Sequence, residues 1–224
     1  MKKALVIAHR GYTRHFPDNT LEAFRAAREI GVDGVEFDIQ ETADGAFVIF
    51  HDDSIDGRNI SGLKSEDIGM MRVGRNCRIP TLQQALEVLG RGLVLLVELK
   101  QVKSLEKFLS LLRRHADAAF TVLVSFDATL IDRLSGLAPD FTCFVIGAPS
   151  GTGGNLPGHK MAGFTQVRCD TVKPEMVSRA HDAGELVFAW DGGSEGDLRR
   201  ALRCGVDVIM TDHPDIVIRE IGRL

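Results

Sequence analysis

Within the stretch VEFDIQETADGAFVIFHDD, residues 35–53, Glu36 and Asp38 stand two positions apart and His51-Asp52-Asp53 closes the segment. Paired carboxylates supply hard oxygen donors for a divalent cation, and an imidazole exchanges protons near neutral pH. Asp44-Gly45 predicts a two-residue hairpin of type I′, which needs positive φ at both central positions. Such a turn sets Ala43 opposite Ala46 and Asp38 opposite His51, so period-two alternation puts Glu36, Asp38 and His51 on one face.

Other groups with the same chemistry follow apolar runs elsewhere: His9 and Arg10 after ALVIA, Glu98 and Lys100 within LVLLVELK, Trp190 after LVFA, and Asp212 after VDVIMT. Glu36, Asp38 and Glu98 have two readings at this level. They either hold a divalent cation or form an ion-paired network with Arg10 and Lys100. His115, His159, His181 and His213 are expected on the surface or at helix caps, and Met70-Met71 in packing.

The elements that must bring these residues together are eight apolar runs, at 4–8, 35–37, 93–99, 121–126, 143–146, 163–167, 186–190 and 206–210. Most alternate with segments of helical spacing. Leu21, Phe24, Ala27 and Ile30 form one stripe and Leu82, Leu86 and Leu89 another, with Thr20 and Thr81 as N-caps. Gly31, Gly90, Gly184 and Gly205 stand where helices should stop. Continuously apolar strands between amphipathic helices require parallel pairing with both faces covered. Eight units predict an α/β fold of the TIM (β/α)8 type, spanning 1–224 as one domain, with a β-hairpin and a short insertion at about 53–79 after the second barrel strand. An open doubly wound sheet is the alternative, weakened because no G-x-G-x-x-G follows the first run. His9, Arg10, Asp38, Glu98, Lys100, Trp190 and Asp212 end or follow strands, and in a barrel those C-terminal ends share one mouth. The fifth and sixth strands are the weakest assignments, and APSGTGGNLPGHK (148–160) between them reads as a loop, either a connector or a lid.

With 44% hydrophobic residues the chain can bury a full core. A formal net charge of −4 argues against a nucleic-acid partner, since such proteins carry a basic excess. Cys77, Cys143, Cys169 and Cys204 lie far apart without a C-x-x-C pair, so reduced thiols and a cytoplasmic location are expected. The apolar run after Lys3 is shorter than the roughly 7–15 residues of a secretory leader, and no run approaches the ~18 residues of a membrane span. The oligomeric state is left open, a homodimer being one option.

The fragments AHRG (8–11), PDNT (17–20), EFD (36–38), HDD (51–53), IPTLQQAL (79–86), ELK (98–100), SF (125–126), AW (189–190) and GVDVIMTDHP (205–214) together resemble the glycerophosphodiester phosphodiesterase family, in family order and over nearly the whole chain. The resemblance implies a TIM barrel and one divalent cation, Mg²⁺ or Ca²⁺, held by Glu36, Asp38 and Glu98. It implies His9 and His51 as the acid–base pair; which is acid and which base stays open, His9 as base and His51 as acid being the preferred order. Arg10 and Lys100 would contact the phosphate of a small-molecule phosphodiester substrate, with Trp190 beside it. It further implies hydrolysis to glycerol 3-phosphate and an alcohol, through attack by the substrate's own hydroxyl to give a cyclic phosphate.

Three departures from the family pattern stand out. Asp18 replaces the usual Glu of P-E-N-T; Asp191-Gly192-Gly193 follows Trp190 in place of T-V-N; and the insertion is brief and glycine-punctuated, which suggests a more open site. The rival readings are a lysophospholipase D-like phosphodiesterase, a non-catalytic phosphodiester-binding barrel, and a metal-independent sugar-phosphate isomerase.

Overall fold

A computed structural model describes residues 3–74, 76–147, 154–156, 159–161, 163–190 and 194–222, the two short stretches 154–156 and 159–161 in backbone only. All eight apolar runs are strands: β1 (Leu5–Ala8), β2 (Gly34–Glu41), β3 (Val94–Gln101), β4 (Thr121–Ser125), β5 (Thr142–Val145), β6 (Gly163–Arg168), β7 (Glu185–Trp190) and β8 (Val208–Thr211). They pair in parallel in the order β5-β4-β3-β2-β1-β8-β7-β6, a curled sheet wrapped by helices in the manner of a TIM barrel. The helices are α1 (Leu21–Glu29), α2 (Ser65–Met70), α3 (Leu82–Leu89), α4 (Leu105–His115), α5 (Ala128–Leu137), α6 (Pro174–Asp182), α7 (Glu195–Cys204) and α8 (Pro214–Ile221).

Below the mouth the strands are mainly apolar because both of their faces are covered. Val35, Phe37, Leu95, Val97 and Leu123 pack outward with Phe24, Leu86 and Phe108 of the helices. Ile7, Leu96, Val122, Phe144, Phe164 and Phe188 point inward and fill the floor of the barrel. The caps fall where the sequence places them. The Thr20 hydroxyl accepts from Ala23 N, and Thr81 with Gln84 forms a reciprocal capping box. Gly205, at φ 82°, ends α7 in the left-handed conformation.

Between β5 and β6 no backbone pairing is recorded among the described residues. The Gln166 side chain spans this seam: its Nε2 donates to Val145 O at 3.0 Å, and its Oε1 accepts from Gly147 N at 3.1 Å. One amide side chain thus stands in for a peptide group of a ladder.

Four expectations need correction. The hairpin after β2 pairs Glu41 with Phe47, Gln40 with Val48 and Ile39 with Ile49, so Asp38 lies level with Phe50 and not with His51. Thr42 N donates to Ala46 O across a three-residue loop whose Gly45 has φ 73°. The loop is longer by one residue because Asp44 does not adopt positive φ; its carboxylate instead accepts from Thr42 Oγ1 and from Ser65 N and Oγ. Within 148–160, read as loop, Gly154–Leu156 and His159–Met161 pair as antiparallel strands; the rest of that segment lies outside the described residues. Met71 does pack against the small core of the insertion, built on Ile55, Ile60, Leu63 and Ile68, but Met70 is 75% exposed. His213 takes the N-cap position of α8 without a side-chain cap bond and turns into the barrel mouth.

Candidate active site

The polar groups meet at the C-terminal end of the barrel, around a cavity of about 380 Å³. Along β2 the inward positions carry Glu36 and Asp38 above an apolar floor, while Val35, Phe37 and Ile39 face the helices. In the β2–β3 ladder Asp38 lies directly opposite Glu98. The register then passes from Ile39↔Leu99 to Gln40↔Gln101, leaving Lys100 as the extra residue of a bulge. From there its Nζ sits 2.6 Å from Glu98 Oε1 and 3.4 Å from Asp38 Oδ1. One oxygen from each of Glu36, Asp38 and Glu98 lies within 4.8 Å of the others.

The loop after β1 supplies the next groups. Arg10, with φ 55°, and Asn19, with φ 57°, are both left-handed, the two ends of a turn tied by Asn19 N donating to Arg10 O at 3.0 Å. Gly11 between them is obligatory: its φ is 90°, and a Cβ there would lie 2.8 Å from that of Ala23. The strained turn lets Arg10 N donate to Glu36 Oε2 at 3.0 Å while Arg10 Nε sits 3.2 Å from Asp38 Oδ2. Asn19 Nδ2 donates to that same Oδ2 at 2.8 Å. Asp18, the shortened acid, still reaches Arg10 Nη1 at 3.3 Å.

His9 hydrogen-bonds through Nδ1 to Asp212 Oδ1 at 2.8 Å, and its Nε2 lies 3.8 Å from Glu36 Oε2. Burial opposes its positive charge, but Asp212 and Glu36 outweigh that and raise its pKa. His51 lies beyond the end of its strand, and Gln40 fixes it by donating to Phe50 O and Asp52 O on either side. Its Nδ1 meets Asp52 Oδ1 at 2.7 Å, and the ring lines the cavity. Trp190 closes one rim with the Arg168 guanidinium 5.7 Å from its ring centre; Asp191-Gly192-Gly193 lies outside the described residues.

Charge balance is unfavourable without a further cation. Arg10 and Lys100 pair with Asp38 and Glu98, so part of the ion-pair network that the sequence leaves open is present. Among the described residues, however, Glu36 has His9 as its ion-pair partner, and although the Arg10 charge also favours its ionised form, Asp38 and Glu98 oppose it. Burial, then Asp38, push its carboxyl up to about 8. Burial likewise raises Glu98 against the opposing effect of Lys100. Asp38 Oδ1 is buried, with the Lys100 ammonium 3.4 Å away. A buried set of three carboxylates with one oxygen of each within 4.8 Å of the others suits a hard divalent ion.

A family model described as "Glycerophosphoryl diester phosphodiesterase family" matches residues 9–216. The chain belongs to the glycerophosphoryl diester phosphodiesterase family. A glycerophosphodiester phosphodiesterase of Caldanaerobacter subterraneus subsp. tengcongensis is 30% identical over 99% of both chains. The fold matches an Oleispira antarctica phosphodiesterase, solved with its product sn-glycerol-3-phosphate, at TM-score 0.82 and 23% identity over 98% of this chain and 97% of that one. A glycerophosphodiester phosphodiesterase of Agrobacterium tumefaciens aligns over the full length of both chains at TM-score 0.82 and 24% identity. The family is one of phosphoric diester hydrolases, and His9, Arg10, Glu36, His51, Glu98, Lys100 and Trp190 of this chain line a single mouth. Asn19, Gln40 and Asp212 complete that mouth although sequence reasoning assigned them no role. For Gln40 a signal existed, a third polar residue in step with Glu36 and Asp38; for Asn19 it was the PDNT fragment. The bond from Asp212 to His9 spans 203 positions and had no local signal.

Proposed function

We propose that this protein hydrolyses glycerophosphodiesters to glycerol 3-phosphate and an alcohol, with His9 and His51 as the acid–base pair. The observation that supports it is that two imidazoles open onto one cavity, each with its Nδ1 on a carboxylate, beside Arg10, Lys100 and three clustered acids. Those carboxylates hold Nδ1–H and leave each Nε2 free to move a proton.

Glu36, Asp38 and Glu98 would hold one divalent ion, Mg²⁺ or Ca²⁺. When bound, such an ion neutralises charge on a phosphate oxygen and acidifies a hydroxyl. The remaining work belongs to the chain. Arg10 and Lys100 orient the phosphate. His9 takes the proton from the glycerol hydroxyl as that oxygen attacks phosphorus, and His51 gives a proton to the departing alcohol oxygen. A tethered nucleophile enjoys high effective molarity. Water then opens the cyclic phosphate with the two roles exchanged, which returns both histidines to their starting states.

The test is a panel of glycerophosphodiesters assayed for glycerol 3-phosphate, with chelator and with Mg²⁺ or Ca²⁺ restored. Release that the chelator stops and a divalent ion restores is the expected result. If no diester is cleaved with either ion, the proposal fails. Chelator-resistant turnover would favour metal-independent chemistry.

A further inference from the structure

The cavity has two unlike halves. Its charged groups come from β1, β2 and the hairpin after it, β3 and the residues after β8, whereas the wall supplied by β4 to β7 and the end of β8 is mostly apolar, with Phe126, Phe144, Ile146, Phe188, Trp190 and Met210 beside one amide, Gln166. Resting on the phosphodiesterase reading above, we propose that the ester arm opposite the glycerol is neutral and apolar, a short alkyl or an aryl group, and not a zwitterionic or polyhydroxyl headgroup.

Placement follows from chemistry. The glycerol arm carries the nucleophilic hydroxyl and must lie within reach of His9, Glu36 and Arg10. The other arm then falls against the apolar wall. The amide on that wall, Gln166, already spends its Nε2 on Val145 O and its Oε1 on Gly147 N. A hydroxylated or amino headgroup pressed against those apolar side chains would lose water and, among the described cavity-lining side chains at the edge of that wall, find only the unpartnered His213 Nδ1 to bond, which is costly. An apolar arm loses nothing and gains burial.

A quaternary ammonium group is the other ligand that exposed aromatics could take. Both rim rings already carry a cation. Lys100 Nζ lies 5.7 Å from the centre of the Phe126 ring, and the Arg168 guanidinium lies 5.7 Å from that of Trp190. Each of these cations is held in place by a carboxylate, Glu98 for Lys100 and Asp170 for Arg168, so a quaternary ammonium group would have to compete with it for the ring face. The volume, about 380 Å³, is near the lower end of the roughly 300–1,000 Å³ of small-molecule sites. That suits a compact arm and not a long lipid chain.

The experiment compares glycerophosphohexanol with glycerophosphoethanolamine, glycerophosphocholine and glycerophosphoglycerol on the metal-loaded enzyme. The hexyl ester is expected to have the highest kcat/KM, by roughly tenfold or more, chiefly through a lower KM. Equal or better turnover of the polar diesters would overturn the inference and leave the phosphodiesterase reading standing. If nothing is cleaved, that reading fails instead, and calorimetric binding of hexyl phosphate against ethanolamine phosphate decides the apolar wall separately. Tighter hexyl phosphate supports it, and equal affinity refutes it. Replacing wall residues by polar ones, Ile146→Gln or Met210→Gln, should shrink the hexyl preference; an unchanged ratio in both variants counts against the assignment.

Discussion

Replacing Glu36 by glutamine isolates the electrostatic cost of the carboxylate cluster. In the metal-free protein, burial and Asp38 lift the Glu36 pKa from 4.5 to about 8. A carboxyl group raised on folding binds a proton in the native state that the unfolded chain has released. Stability from this group is therefore complete below pH ~4.5 and falls as pH rises towards ~8. At about 1.4 kcal/mol for each unit of displacement, the loss amounts to a few kcal/mol, with about 5 as its ceiling. Glu36→Gln cannot ionise, and its amide oxygen can still accept from Arg10 N. Urea unfolding in chelator between pH 4.5 and 8.5 should show the wild type losing stability relative to the variant by that amount. Adding Mg²⁺ or Ca²⁺ at pH 8 should restore the wild type, by about 2.7 kcal/mol at a hundred times the dissociation constant, and leave the variant unmoved. Parallel pH profiles for the two proteins, or equal metal stabilisation of both, would refute the reasoning.

Three further outcomes follow from the same geometry. His9→Ala and His51→Ala should each lower kcat by about 10²–10⁴-fold with little change in thermal midpoint; a nitrophenyl diester, whose leaving group needs no proton, should rescue His51→Ala alone, and rescue of His9→Ala instead would exchange the two roles. Asp212→Asn should weaken turnover by roughly a hundredfold and displace the pH–rate profile of His9, while substrate KM stays near the wild-type value; a KM effect alone would show that Asp212 does not act through His9. Glu41 accepts from Lys103 N, Ser104 N and Ser104 Oγ at the start of α4, and although burial opposes it, these bonds hold its carboxyl below the ordinary range. Glu41→Ala should cost about 2–3 kcal/mol in denaturant unfolding at neutral pH. Because the folded pKa is depressed, that difference should fade as pH falls through it, and a pH-independent difference would contradict the assignment.

All eight strands and the caps at Thr20 and Thr81 were legible because they are local: a continuous apolar run, or a hydroxyl three residues before its amide, carries its own signal. The C-terminal location of His9, Glu98, Lys100, Trp190 and Asp212 followed from strand direction alone. The hairpin register was not legible. Asp44-Gly45 fits a two-residue turn equally well, and the choice was made by Ser65, which draws the Asp44 side chain from twenty-one positions away. Met70 misled for a related reason: hydrophobicity says that a side chain gains by burial, but not whether a partner is present.

The sequence by itself determined the barrel, the mouth and the chemical type of most groups around it, His213 and Asn19 being exceptions, since strand period and strand end fix which residues face inward at the top. Tertiary structure alone decided how those groups are coupled. Asp212 meets His9 across 203 positions, Gln40 holds the carbonyls flanking His51, and Gln166 stitches the seam of the sheet. Each is a hydrogen bond between chain segments, and its geometry to within an ångström depends on the closure of the barrel, which periodicity of a linear pattern does not encode.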